Sequence, residues 1–442
     1  MSRFPFLVCS LALGLILWNS QASAEALEEV LTKALLSHPE VKVAVNRLRA
    51  EEKTIGAARA DYFPSLDISA GYGKQRKDLS DESQNDEVDG IKFTKQEAAI
   101  SIKQSLFAGF NTKNRVAGAK KSTEAEQWRL VSTLEEISLK ITSVYLRVME
   151  QRELVELAKD NLDIHNEIYA QIEQRAKQGV ARNSDLIQVE GRLARANANL
   201  INAYNNLSDA ESEYRSLVGH SPAELAFPSF EHLEIPDDID AVIQQSGQGN
   251  PSLKAADSDI GSFEHAFESR KSAYLPSLNI ELDKSWKKDA DGQPGSNVDT
   301  QVMLRFRYNL FSGGGDKARL MESAYQVEER HSQKDRVMRD LEERVRIAWA
   351  AYKFAGEQRV YLLAHEKASR ETVIAYKGQF NIGKRTLLDL LDSENELFQS
   401  SNSLISAIYQ ETQARYRILA SMGSLLDSMG FVLPESWQVG GE

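Results

Sequence analysis

The sequence predicts a mainly α-helical fold with a β-barrel portion, built from a tandem-duplicated long helical hairpin with four strands in each chain. Three observations predict it. The first is an internal repeat: Gly383, Asp389 and Gly423 lie 204 residues after Gly179, Asp185 and Gly219, at matching places in two helical stretches. Such a repeat overrides the two or three domains that 442 residues would otherwise imply. The second is period. Apolar pairs recur every seven residues, as Leu390/Leu391, Leu397/Phe398, Leu404/Ile405 and Ile418/Leu419 in one copy and Leu186/Ile187, Leu193/Ala194 and Leu200/Ile201 in the other. A strict period of seven means left-handed supercoiling against partner helices. The third is a pair of segments in each copy whose apolar and polar residues alternate, as strands do.

In order along the chain, Arg3 precedes an apolar run from Phe6 to Trp18, and Ala22-Ser-Ala24 follows. Residues 1–24 read as a secretory signal peptide cleaved after Ala24. The only cysteine, Cys9, falls inside that run, so the processed chain is expected to have no disulfide, thiol chemistry or cysteine metal site. Phe6-Leu-Val before it lacks the small residue that lipidation needs. No later segment has about 18 consecutive apolar residues, so membrane contact has to come from strands or a surface helix. With 53 Lys and Arg against 65 Asp and Glu, the net charge of −12 argues against nucleic acid as a partner.

The first repeat is assigned to 25–235 and the second to 236–442. Helical pieces from Glu25 break at His38-Pro39. Leu66, Ile68, Ala70 and Tyr72 then alternate with Asp67, Ser69 and Gly71, and Ile100 and Ile102 with Ser101 and Lys103. This predicts a strand hairpin over about 62–108, with a polar loop from Lys74 to Gly90. No proline occurs between Asn111 and Lys177, which permits one helix over 111–177, roughly 100 Å at 1.5 Å per residue. A second helix is expected over 183–219, and His220 to Asn250 reads as an irregular linker. The second copy repeats these steps: a helix, a hairpin over about 274–311 with a loop from Lys287 to Asn297, a long helix over 315–380, a helix over 386–423 and a tail. Tyr274-Leu-Pro-Ser-Leu lies 212 residues after Tyr62-Phe-Pro-Ser-Leu, and Leu310-Phe-Ser-Gly lies 204 after Leu106-Phe-Ala-Gly, so the length change falls within the second hairpin.

Strands with one apolar face and one face of Asp, Glu, Lys and Arg suit a barrel with lipid outside and water inside. The alternative is two half-exposed hairpins on a soluble periplasmic coiled-coil adaptor or scaffold. Four strands leave open edges that hydrocarbon does not tolerate, so a membrane barrel must be shared among chains. An open pore needs more than the about eight strands that side chains can fill, hence three chains or more.

The tandem layout, Tyr274-Leu-Pro-Ser-Leu, Leu310-Phe-Ser-Gly-Gly and Gly383-Lys-Arg-Thr-Leu-Leu-Asp-Leu-Leu-Asp resemble the TolC family of outer-membrane efflux proteins across the whole processed chain. The second-copy stretch looks most like the branch serving type I secretion, with its LapE and AggA adhesin channels. The resemblance implies a homotrimer, a shared twelve-stranded transmembrane barrel in outer-membrane lipid, and a periplasmic coiled-coil tunnel. It implies a periplasmic adaptor and an inner-membrane ABC or proton-driven transporter as partners. The tunnel mouth would lie at 176–184 and 377–386. Asp389 and Asp392 would form an acidic ring there, and Arg385, with Ser184 and Asp185, a latch. Phe380 stands where the family has a tyrosine, and a phenyl ring cannot donate that hydrogen bond. Asp389 also reads simply as a capping box with Thr386.

No enzyme is expected, and no cofactor, catalytic residue or metal. The seven histidines have no metal-ligand spacing, and Gly313-Gly-Gly315 lacks the Gly-Lys-Ser/Thr of a phosphate loop.

Overall fold

The computed structural model describes residues 24–79, 88–229, 235–290 and 295–440. The expected signal peptide therefore lies, but for Ala24, outside the described residues. Two short helices open the chain, α1 (Leu27–Ser37) and α2 (Pro39–Ala60). His38 separates them because Pro39 presets the first helical φ and the His38 ring accepts the Glu40 N–H. Strands β1 (Ser65–Leu79) and β2 (Val88–Ala108) follow, then α3 (Asn111–Lys177) and α4 (Asn183–Val218). The second copy begins with α5 (Ile239–Gly249) and α6 (Pro251–Arg270). Asn250 and Pro251 repeat the junction of the first copy, with the Asn250 side chain accepting from Ser252 N–H. Next come β3 (Ser277–Lys288), β4 (Ser296–Arg307), α7 (Gly315–Asn381), α8 (Leu387–Met422) and the single turn α9 (Leu425–Ser428).

Three details differ from the sequence reading. The segment expected to be an irregular linker contains α5. The expected loop from Lys74 to Gly90 is strand at both ends, over 74–79 and 88–90, where Lys74 pairs with Thr94 and Arg76 with Lys92; its middle, 80–87, lies outside the described residues. In the second hairpin β3 runs to Lys288 and β4 starts at Ser296, leaving 289–295 between them.

The four strands form one antiparallel sheet in the order β1-β2-β3-β4. Its register puts Ile102 opposite Leu282 and Leu282 opposite Val302 on one face. Among the described residues much of that face is uncovered: Ile68 is 74% exposed and Leu304 65%. On the other face Glu281 sits between Lys103 (3.9 Å) and Arg305 (2.7 Å), and Asp283 between Ser101 (2.6 Å) and Gln301 (3.2 Å).

The helices pair as the heptads require. Within one chain α4 packs on α3, α3 on α8 and α8 on α7. The largest core lies midway along α3, where Leu134, Ile141 and Tyr145 meet Leu31 of α1, Tyr214 of α4 and Tyr416 of α8, all buried. The Tyr145 hydroxyl lies 2.5 Å from the Ala226 carbonyl, which ties the segment after α4 to that core.

Candidate functional site

Two helical turns lie at the far end of the chain from the sheet, one between α3 and α4 and one between α7 and α8. Each turns on a glycine in the left-handed region, Gly179 and Gly383, both at φ 75°. A side chain there would be strained, which is why the two copies keep glycine at these positions. Beside the glycines Val180 and Ile382 are exposed.

Above the turns all four long helices meet in a small second core. It is made by Ile168 and Ile172 of α3, Val189 of α4, Phe380 of α7 and Leu390 and Leu391 of α8. Heptad spacing explains the Leu390/Leu391 contribution, while Phe380 enters from the last turn of α7.

The structure places the predicted site residues as follows. Asp389 closes a capping box: its carboxylate accepts the Thr386 N–H at 3.1 Å, and the Thr386 hydroxyl oxygen accepts the Asp389 N–H at 3.2 Å. Bonding to Thr386, with help from Arg385, holds the Asp389 carboxyl below the usual carboxylate range. Asp392 shares that face of α8 but takes a different partner: Arg192 of α4 donates to its Oδ1 at 2.6 Å. Both carboxylates border a groove between α8 and α7, together with His365, Tyr376 and Glu396.

Arg385 is held within its own hairpin. Its Nε donates to Gln379 at 3.0 Å and its guanidinium lies 4.2 Å from the Tyr376 ring centroid. Among the described residues of one chain it makes no bond to Ser184 or Asp185. Ser184 is exposed, and Asp185 accepts the Arg182 N–H at the start of α4. Phe380 is buried, with the Arg175 guanidinium 4.9 Å from its ring centroid. The ring that cannot donate a hydrogen bond thus takes a cation on its face.

Sequence reasoning missed Arg192, Arg175 and the pair Lys377 to Glu167 at 3.8 Å. It also missed Glu394, which is buried near that pair and has its carboxyl pushed up by burial, opposed by Lys377. One signal was available for Arg192: it lies seven residues after Asp185, and the residue 204 further on is Glu396. The two copies therefore carry opposite charges at one repeat position.

The comparisons with known proteins match both copies of the repeat. The profile of the family described as outer membrane efflux protein matches residues 30–220 and 242–424, one stretch on each copy. The outer membrane efflux protein BepC of Brucella suis biovar 1 is 22% identical over 422 residues, covering 94% of this chain and 90% of its own. The alkaline protease secretion protein AprF of Pseudomonas aeruginosa is 24% identical over 441 residues, covering 97% and 90%. The structure of the Campylobacter jejuni CmeC outer membrane channel matches with a TM-score of 0.77 at 14% identity, over 96% of this chain and 94% of that one. That likeness concerns the fold, long helical hairpins carrying a four-stranded sheet.

Proposed function

This chain belongs to the outer membrane efflux protein family, and on that premise we propose that three copies close into one outer-membrane duct that passes proteins or small molecules out of the cell. It is the outer component of a type I secretion or efflux system, and its second-copy stretch looks most like the type I secretion branch that includes the large-adhesin channels.

The observation that carries this reading is that both layers of the chain are unfinished at the same two sides. Among the described residues the sheet ends in β1 and β4, whose outer edges have no strand beside them, with an exposed apolar face that only lipid or protein can cover. The helical layer ends in α4 and α7. Ile187 and Ile201 stay exposed on α4, and Ile347, Phe354 and Tyr361 on α7, at spacings of seven or fourteen that put each set on one stripe. Joining the β1 and α4 side of one chain to the β4 and α7 side of the next covers all of these at once. Three chains then give twelve strands and twelve long helices, wide enough for an open lumen. A soluble scaffold would leave the apolar face of the sheet bare.

The helical turns form the periplasmic mouth, where the exposed Val180 and Ile382 offer a surface to a periplasmic adaptor. Asp389 and Asp392 of three chains form an acidic ring at the constriction. Arg385 reaches Ser184 and Asp185 of the neighbouring chain, because the α7 side of one chain meets the α4 side of the next. The duct itself carries out no reaction. Its energy comes from an inner-membrane transporter, ABC or proton-driven.

Native mass spectrometry in detergent tests the assembly. We expect a trimer, and a stable monomer would overturn the reading.

A further inference from the structure

A cavity of about 370 Å³ lies between α2, α3, α6 and α7, and four arginines line it: Arg47, Arg129, Arg330 and Arg336. Its two carboxylates, Glu126 and Asp259, are both taken up by Arg129, which donates from Nη1 to Glu126 at 2.8 Å and from Nη2 to Asp259. Arg47, Arg330 and Arg336 make no ion pair among the described residues. We propose that this cavity is an anion site for soluble oligophosphates, chains of two or more phosphate groups.

The charge of the cavity runs against that of the chain. Four arginines against two carboxylates leave two positive charges in excess, within a chain of net charge −12. Like charges gathered on a concave wall repel one another and raise the local potential, and an anion relieves both. Arg330 is set in place before any ligand arrives. Its Nη1 donates to Gln333 at 2.6 Å, its guanidinium lies 4.2 Å from the Phe263 ring centroid, and its buried Nε has no acceptor among the described residues. A guanidinium held in this way loses little freedom on binding, and a donor is left over for an oxygen that the protein does not supply.

The forked donors of arginine match phosphate oxygens in pairs. With three unpaired guanidinium groups on two helices and room for more than one phosphate, the cavity suits a chain of phosphates better than a single one. Phospholipid is the other source of phosphate, and position argues against it. Arg129 lies 18 residues along α3 from Asn111, about 27 Å beyond the sheet end at 1.5 Å per residue, out of reach of headgroups beside the strands. In a trimeric duct three such cavities would stand between the barrel and the acidic mouth. Binding is read on the solubilised protein, so the site stands or falls apart from the duct reading.

Isothermal titration calorimetry with sodium tripolyphosphate in metal-free buffer tests this on the purified protein in detergent. Wild type should bind it, and more tightly than orthophosphate at the same ionic strength. Arg330→Gln and Arg336→Gln should each weaken binding about ten-fold, and together abolish it. Arg336 is exposed, so its variant decides the matter even if Arg330→Gln disturbs the packing on Phe263. Arg339→Gln, an α7 arginine outside the cavity, should leave binding unchanged. Short-chain phosphatidylglycerol added to the micelles should not compete. Absence of binding in wild type, or binding no tighter than that of orthophosphate, would overturn the site. An equal loss in Arg339→Gln would overturn it as general charge attraction, and displacement by phosphatidylglycerol would overturn it in favour of lipid.

Discussion

Glu135 of α3 is buried, and one of its carboxylate oxygens accepts the Leu426 N–H at 3.3 Å while the other has no hydrogen-bond partner among the described residues. Burial pushes its carboxyl up to about 8, against the opposing effect of the Leu426 N–H. The folded chain therefore holds this proton more tightly than the unfolded one. The stability Glu135 gives is complete below its ordinary pKa and is lost as pH rises through about 8, a loss on the order of a few kcal/mol. Glu135→Gln keeps the acceptor and removes the charge. Thermal melting of this variant should show a higher melting temperature at pH 8 and a flatter fall between pH 5 and 8 than wild type. Asp389 shows the opposite shift. Its carboxyl is held below the usual range by Thr386, so it stays charged through mildly acidic pH and loses its charge only as pH falls through that lowered value. Reversal potentials should show a cation preference that persists at pH 5 and is abolished by Asp389→Ala; if Asp389 only caps α8, selectivity will not change. The capping box was legible because its partners are three residues apart. The bond of Arg192 to Asp392 was not, because the partner stands 200 residues away on the other copy and the repeat position of Arg192 points to Glu396 instead.

Most element boundaries were legible because glycine and proline mark them. The long helices were expected over 111–177 and 315–380, and they run Asn111–Lys177 and Gly315–Asn381. Helix α5 was missed because Gly247 and Gly249 read as breakers. Gly249 is there for another reason: a Cβ at this position would lie 2.4 Å from the Met422 carbonyl oxygen, so the glycine permits close packing of α5 on the end of α8. The upper part of β1 was read as loop because Lys74-Gln-Arg-Lys has no apolar alternation, yet ladder pairing with β2 carries it on. At the turns the predicted fastening is between chains. Arg385→Ala combined with Asp185→Ala should raise single-channel conductance and make cells more sensitive to vancomycin. Wild-type values for both would place the fastening elsewhere.

At the scale of the whole molecule, sheet and turns lie at opposite ends of helices about 100 Å long. The strand loops then face outward if the turns face the periplasm. An epitope tag near Asn85, which lies outside the described residues, should be reached by antibody on intact cells. Labelling only after permeabilisation would reverse the topology. The same edges that close the duct also govern how it is built. A lone chain has one bare β1 and α4 side and one bare β4 and α7 side, and a pair joined side by side has as many. Only the third arrival removes both, so two encounters make three junctions and the last two form together. Assembly should therefore behave as a nearly all-or-none reaction in protein concentration, passing from one chain to three with scarcely any pairs. Cells making too little of this chain would lose working ducts faster than they lose protein.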